Sequence, residues 1–302
     1  MRVFFYPAVY YNTHMKAYLD IAEKILAQGV RKQNRTGIDT LAIAGAMFEH
    51  DMADGFPLLT TKKVPFRLVA SELEFFIRGV TDKEWLREKN NHIWDEWCSG
   101  DAVPYGNDEA TKAKMAAERE LGPIYGWQWR NFGAGYVAHD KPPKGEGVDQ
   151  LVQLVETLKK DPCSRRMLVC AWNPLDLSRM ALPPCHYAFQ ATVTGGKLNL
   201  LWNQRSVDVA LGLPFNIASY GCLLHLLAKE AGLAEGRLIG FLADVHVYVN
   251  HIDPLRVQLA REPRPLPSIK TVNFTSVFDW HYPDTEIEGY DPHPAIKFDI
   301  AV

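Results

Sequence analysis

Pro183 and Pro184 hold the backbone extended immediately before Cys185 and His186, which presents a thiol at a defined point in the chain. A cysteine acts as a nucleophile through its thiolate, and near neutral pH the thiolate needs a cation or a base beside it. The ordinary fate of a lone cysteine is to be a small buried hydrophobe, inert in a core. What sets Cys185 apart is its company along the chain: arginines, carboxylates, an amide and paired indoles, each able to serve thiol chemistry on an anionic ligand with a flat ring.

Arg35 lies in a polar turn at 33–37, and Arg165 and Arg166 precede an apolar run at 167–172. Such arginines are often merely solvated, but a planar guanidinium can also grip a phosphate through two parallel hydrogen bonds. Arg205, Ser206 and Asp208 bring a cation, a hydroxyl and a carboxylate together directly after an alternating strand pattern. Asn216 is placed at the start of a long apolar helix, where it could cap the helix or read a base edge with one donor and one acceptor. Asp244, His246 and Tyr248 share one face of a strand by alternation, a polar face that needs water or a ligand. Trp94 and Trp97 flank an acidic pair and can wall a flat ring.

Glu72 sits in a helical pattern running from Phe66 through Val69, Leu73 and Phe76 to Gly79. At about 100° per residue it lies about 60° from Val69 and about 40° from Phe76, whereas Glu74 falls about 160° away. Glu72 is therefore expected to be at least partly buried, with a pKa raised towards the range useful for proton transfer. A structural ion pair is the alternative reading.

The elements that must position these residues follow from periodicity. Thr13 is a plausible cap for a helix ending at Gly29, and a strand is expected over 41–49. Val148, Leu151, Val152, Val155 and Leu158 form a helical stripe closed by Lys159, Lys160 and Pro162. Tyr187 to Val193 and Leu198 to Trp202 alternate around Gly195-Gly196, a hairpin. A helix over about 217–231 and a strand over 238–249 follow. Earlier in the chain, 98–120 reads as a surface insertion with a short helix near 109–118 and no assigned chemistry, and 133–147 as a surface loop.

The chain has 302 residues, 47% of them hydrophobic, enough for a substantial core. A net charge of −3 argues against broad, sequence-independent nucleic-acid binding and leaves any phosphate site local. The five cysteines are widely spaced without a CxxC pair, which suggests neither a disulfide framework nor a zinc site and fits a reducing cytoplasm. No apolar run is long enough to span a bilayer, and residues 1–14 read as an extension without a signal-peptide pattern.

The segments 184–186, 204–208, 213–220 and 244–248 resemble the thymidylate synthase family in order and spacing, and so do 35–37, 54–57, 94–97 and 287–294. The resemblance runs from about Met15 to Val302 and implies one catalytic domain over 15–302. It implies an α/β (α+β) fold, a large mixed β-sheet flanked by helices, with two such sheets packed back to back in a homodimer. It also implies reductive methylation of dUMP to dTMP, with 5,10-methylenetetrahydrofolate giving the carbon and the hydride and no metal involved. On this reading Cys185 adds to carbon 6 of the uracil. Arg35, Arg205 and Ser206 hold the phosphate, joined by Arg165 and Arg166 of the other subunit. Asn216 reads the uracil edge, His246 and Tyr248 the deoxyribose hydroxyl, and Asp208 the pterin. Glu72 organises proton transfer, Tyr125 assists proton removal from carbon 5, and Trp94, Trp97, Leu211, Gly212, Phe215 and the terminal Val302 form the folate site.

Asn203 stands where the family carries a tyrosine, and Leu242-Ala243 precede Asp244 where a glycine is usual, both expected near the nucleotide or folate pocket. Relatives of the same fold transfer a hydroxymethyl group instead, so hydroxymethylation of dUMP is the nearest alternative. Trp94, Glu72 and Val302 favour hydride transfer, and Asn216 favours uracil over cytosine. A non-catalytic nucleotide- or RNA-binding module is the reading from another class. The near-neutral charge and the intact Cys185, Glu72 and Asn216 weigh against it.

Overall fold

The structure is a computed structural model that describes residues 15–34 and 36–300. Arg35, Val302, Thr13 and the extension read over 1–14 lie outside the described residues. In chain order the elements are α1 (Lys16–Gln28), β1 (Val30–Lys32), β2 (Thr40–Asp51), α2 (Phe66–Ile77), α3 (Glu84–Arg87) and α4 (Glu109–Ala117). Next come α5 (Tyr125–Asn131), α6 (Gln150–Lys160), β3 (Leu168–Cys170), β4 (His186–Thr194) and β5 (Lys197–Asp208). The chain ends with α7 (Gly212–Ala231), β6 (Ala234–Tyr248), α8 (Ile252–Leu259), β7 (Ser268–Thr271) and β8 (Thr285–Glu288).

Six strands form one mixed sheet in the order β1-β2-β6-β5-β4-β3, and β7 pairs with β8 separately. Only the β5–β6 pairing within the large sheet is parallel. The register makes its two faces unlike. Phe48, Gly240, Trp202, Phe189 and Val169 fall in one cross-strand row facing the core, which α1 and α7 cover. In the neighbouring rows Met47, Phe241 and Leu168 are exposed, so the opposite face carries apolar side chains that no described residue covers. Among the described residues no helix is long and apolar enough to cross a membrane.

Local chemistry accounts for most element ends. The hairpin between β4 and β5 turns on Gly195 and Gly196, whose φ values of 58° and 76° are open to glycine at little cost. α5 lies directly against α2 because a Cβ on Gly126 would come within 2.4 Å of Phe76 O. That approach places Tyr125 over Phe76.

Several boundaries differ from the sequence reading. α6 begins at Gln150, since Asp149 accepts from Val152 N–H as its cap; Val148 is exposed and bridges to Phe132 instead. β3 spans only Leu168–Cys170 of the apolar run. The polar residues 204–208 belong to β5 itself rather than following it. α7 begins at Gly212, so Pro214 sits in its first turn, where a missing N–H costs nothing, and Asn216 lies inside the helix rather than capping it. Met15 holds the cap position of α1. Helix α4 within the insertion forms as expected.

Candidate active site

A cleft of about 910 Å³ opens where β4 begins and β5 and β6 end, beside α2 and the start of α7. Cys185, Glu72, Tyr125, Asn216, Asp208, Arg205, Ser206, His246 and Tyr248 all line it. So do Trp94, Trp97, Leu211, Gly212 and Phe215. Arg165 and Arg166 do not; both are exposed in the turn between α6 and β3.

Cys185 is placed by a β-bulge. The register shifts between His186 and Ala188, which leaves His186 opposite Gln204 and brings Cys185 opposite Arg205. Arg205 N–H donates to Cys185 O at 2.8 Å, and Arg205 Nη2 lies 4.0 Å from Cys185 Sγ. The guanidinium cannot swing away, because Nε donates to Pro184 O at 2.9 Å and Nη2 to Pro183 O at 2.8 Å. Its plane also sits over Trp172, 5.5 Å from the ring centre. The two prolines thus supply the carbonyls that hold the cation beside the thiol.

His186 contributes no charge despite following Cys185 directly. It is buried, its Nδ1 is hydrogen-bonded to Tyr220 Oη at 2.9 Å, and its ring packs on Tyr125 with centres 4.5 Å apart. Burial pushes its pKa down to about 3, so the imidazole is neutral at physiological pH. The adjacent Cys–His pair is not a catalytic dyad.

Glu72 is partly buried on the cleft wall, and Trp94 Nε1–H donates to its Oε1 at 2.7 Å. Burial raises its pKa to about 7, with the indole donor pulling in the opposite direction, so desolvation dominates. Both protonation states are therefore populated near neutrality. Glu74, two residues on, is also buried: Arg78 Nε donates to it at 2.7 Å and Tyr282 N–H at 2.9 Å. α2 is enclosed on both sides, and only Glu72 of the two faces the cleft.

Tyr125 Oη accepts from Cys185 N–H at 2.8 Å, and the ring stacks on Phe76 with centres 4.8 Å apart. Burial, with the Cys185 thiol and Glu72 nearby, drives its pKa well above the usual value, so the phenol stays protonated. Asn216 is held by a chain of dipoles: Trp202 Nε1–H donates to Gln204 Oε1 at 3.0 Å, and Gln204 Nε2–H donates to Asn216 Oδ1 at 2.9 Å and to Ser206 O at 3.1 Å. That leaves the Asn216 amide fixed in the cleft with its own N–H donors to offer.

Asp208 Oδ1 accepts from the N–H groups of Ala210 and Leu211 at 3.0 and 3.1 Å, which fixes the carboxylate at the end of β5. Beneath it the buried Lys62 donates to Ala210 O and lies over the Phe298 ring at 4.3 Å. Burial lowers the Lys62 pKa to about 8, partly offset by Asp208. On β6, the rings of His246 and Tyr248 meet edge to face at 5.5 Å, and Asp244 pairs with Lys32 and, at 3.3 Å, with His246 Nδ1.

Sequence reasoning gave no role to Gln204, Lys62, Phe76, Trp172 or Tyr105, of which all but Lys62 line the cleft. For Gln204 the signal was present: on β5 it alternates with Arg205, and its amide can only be buried if it is paired. Asn203 and Leu242-Ala243, expected near the pocket, do not line this cleft. Asn203 pairs with Phe241 on the uncovered sheet face, Leu242 is buried in the core, and Ala243 borders a shallow groove beside β1. Among the described residues no three His, Cys, Asp or Glu side chains group as metal ligands. A family model described as thymidylate synthase matches residues 16–302.

Proposed function

Because the chain belongs to the thymidylate synthase family, we propose that it converts dUMP to dTMP, with 5,10-methylenetetrahydrofolate as the source of the carbon and the hydride. The observation that carries the reading is the thiol of Cys185 held 4.0 Å from the clamped guanidinium of Arg205, inside a cleft that also contains Glu72 with a pKa near 7. Arg205 stabilises the thiolate and, with Ser206, holds the phosphate. Arg35 joins them, as do Arg165 and Arg166 from a second copy of the chain. Asn216 offers donor and acceptor to the uracil edge, and His246 and Tyr248 hold the sugar hydroxyl.

Cys185 adds to carbon 6 of the ring, and the electron pair displaced from the 5,6 double bond makes carbon 5 nucleophilic towards the co-substrate's one-carbon unit. Glu72, its pKa raised by burial to about 7, supplies and retrieves a proton at the pyrimidine oxygen through water. Tyr125 keeps its proton, so its help in removing the carbon 5 hydrogen runs through hydrogen-bonded water rather than a phenolate. Once the carbon 5 proton is lost and the co-substrate's hydride has reduced the one-carbon unit, the 5,6 double bond re-forms and expels the Cys185 thiolate from carbon 6, giving dTMP and dihydrofolate.

The cleft suits a folate. Trp94 and Trp97 meet edge to face at 6.1 Å, Leu211 and Phe215 supply apolar surface, and Trp97 Nε1 is buried without an acceptor among the described residues. Asp208, with one oxygen anchored by backbone N–H groups and the other 3.9 Å from His251 Nδ1, offers its carboxylate to pterin donors. Methyl rather than hydroxymethyl transfer is supported by the Trp94–Glu72 hydrogen bond and by the absence of Asn203 and Ala243 from the cleft lining. The apolar sheet face left exposed among the described residues supports a homodimer, and five widely spaced cysteines without a CxxC pair support a reducing, cytoplasmic setting. Incubation with dUMP and 5,10-methylenetetrahydrofolate tests the reading. Dihydrofolate in step with dTMP is expected, whereas 5-hydroxymethyl-dUMP without dihydrofolate would assign a hydroxymethylase.

A further inference from the structure

The segment 98–120 looks like a surface insertion without chemistry, yet it is tied to the cleft wall. Lys83, fully buried, donates from one ammonium to Asp95 O at 3.0 Å, Trp97 O at 2.9 Å and Met115 O at 2.7 Å, which fastens the tryptophan pair to α4. At the start of the insertion Val103 N–H donates to Ser99 O at 3.1 Å, and Val103 O lies 3.9 Å from Cys98 Sγ. This closed turn brings the chain back to the residue that follows Trp97. Two residues further on, Tyr105 lines the same cleft as Cys185 while remaining 50% exposed.

Rings run in a row from the nucleophile outwards. Tyr125 accepts from Cys185 N–H, Trp94 lies 6.0 Å from Tyr125, and Trp97 lies 6.1 Å from Trp94. Tyr105 lines the same cleft with half of its surface open to solvent, which marks its side of the cleft as the mouth. A large ring on an anchored turn is contact area that loses little freedom when a ligand covers it. The reacting end of a folate has to lie beside Cys185, so its aryl ring and carboxylate tail extend towards that mouth.

We propose that Tyr105 is a specificity-determining contact for the aminobenzoyl portion of the folate co-substrate, so that the insertion forms the outer wall of the folate site. This rests on the functional reading above. The test is steady-state kinetics of wild type, Tyr105→Ala and Tyr105→Phe with either substrate varied, together with folic acid binding in the presence of dUMP by fluorescence titration. Tyr105→Ala is expected to raise the KM for 5,10-methylenetetrahydrofolate and the folic acid Kd by about three- to tenfold. Its kcat and KM for dUMP should stay within about twofold, and Tyr105→Phe should behave as wild type. A folate KM and Kd unchanged in Tyr105→Ala would overturn the inference, as would a fall in kcat alone, which marks a structural role. A wild-type protein that does not turn over dUMP would instead remove the functional reading itself.

Discussion

Arg205 and Cys185 face each other across the end of the β4–β5 pair, with Nη2 4.0 Å from Sγ and the guanidinium pinned by the carbonyls of Pro183 and Pro184. The residues that present the thiol therefore also fix the cation beside it. Arg205→Lys keeps a charge but cannot reproduce the fork, because an ammonium lacks the planar donor array. Both Arg205→Lys and Arg205→Ala should lower kcat/KM for dUMP, the alanine variant by about a hundredfold or more. In Arg205→Ala the midpoint of the pH profile for Cys185 alkylation, followed by peptide mapping, should move upward.

Glu72 has a folded pKa of about 7, above its unfolded value, so the native state binds more protons in the interval between the two. Its contribution to stability is fully present below the unfolded pKa, near 4.5, and is lost as pH rises through about 7. The loss amounts to about 3 kcal/mol at most, less the solvent screening of a partly exposed group. Glu72→Gln should therefore melt higher than wild type at pH 8 and close to it at pH 4.5, while kcat falls by about a hundredfold or more. Thermal melts at both pH values and initial rates check the two halves.

Asn216 is oriented by Gln204, whose amide is itself held by Trp202. Asn216→Asp keeps an acceptor for Gln204 but removes the amide donors that suit a uracil edge. It should cut kcat/KM for dUMP by about a hundredfold or more and raise acceptance of dCMP. Gln204→Leu leaves Asn216 unrestrained and should cost about tenfold with dUMP without any gain with dCMP. Parallel kinetics with both nucleotides separate these outcomes.

The exposed Phe241 and Met47 pair across the open sheet face. Phe241→Asp should shift a homodimer towards monomer in sedimentation velocity and lower activity, since Arg165 and Arg166 do not reach the cleft of their own chain. An unchanged sedimentation coefficient would contradict the dimer reading.

The parts of the fold carried by local chemistry were legible. The Gly195-Gly196 hairpin, the stop of α1 at Gly29 and helix α4 all follow from side-chain period and turn residues. The early start of α7 was not, because Leu211 to Pro214 reads as a turn until tertiary packing makes proline a first-turn residue. Residues 204–208 look too polar for a strand, and are one only because their strand ends at a cleft. Glu72 and Asn216 were legible as candidates from type and position, and both line the cleft. The neutrality of His186, the clamp on Arg205 and the reach of Tyr105 depend on contacts between distant segments, which periodicity cannot supply.

The most direct test of the central claim is to trap the bond at Cys185. Fluorine at carbon 5 cannot leave as a cation, so 5-fluoro-dUMP carried through addition and one-carbon transfer should stay attached. Incubation with 5-fluoro-dUMP and 5,10-methylenetetrahydrofolate, followed by intact-protein mass and peptide mapping, should show a nucleotide- and folate-bearing adduct on Cys185, absent from Cys185→Ser. No adduct on the wild-type protein, or one that maps elsewhere and survives in Cys185→Ser, would contradict the account.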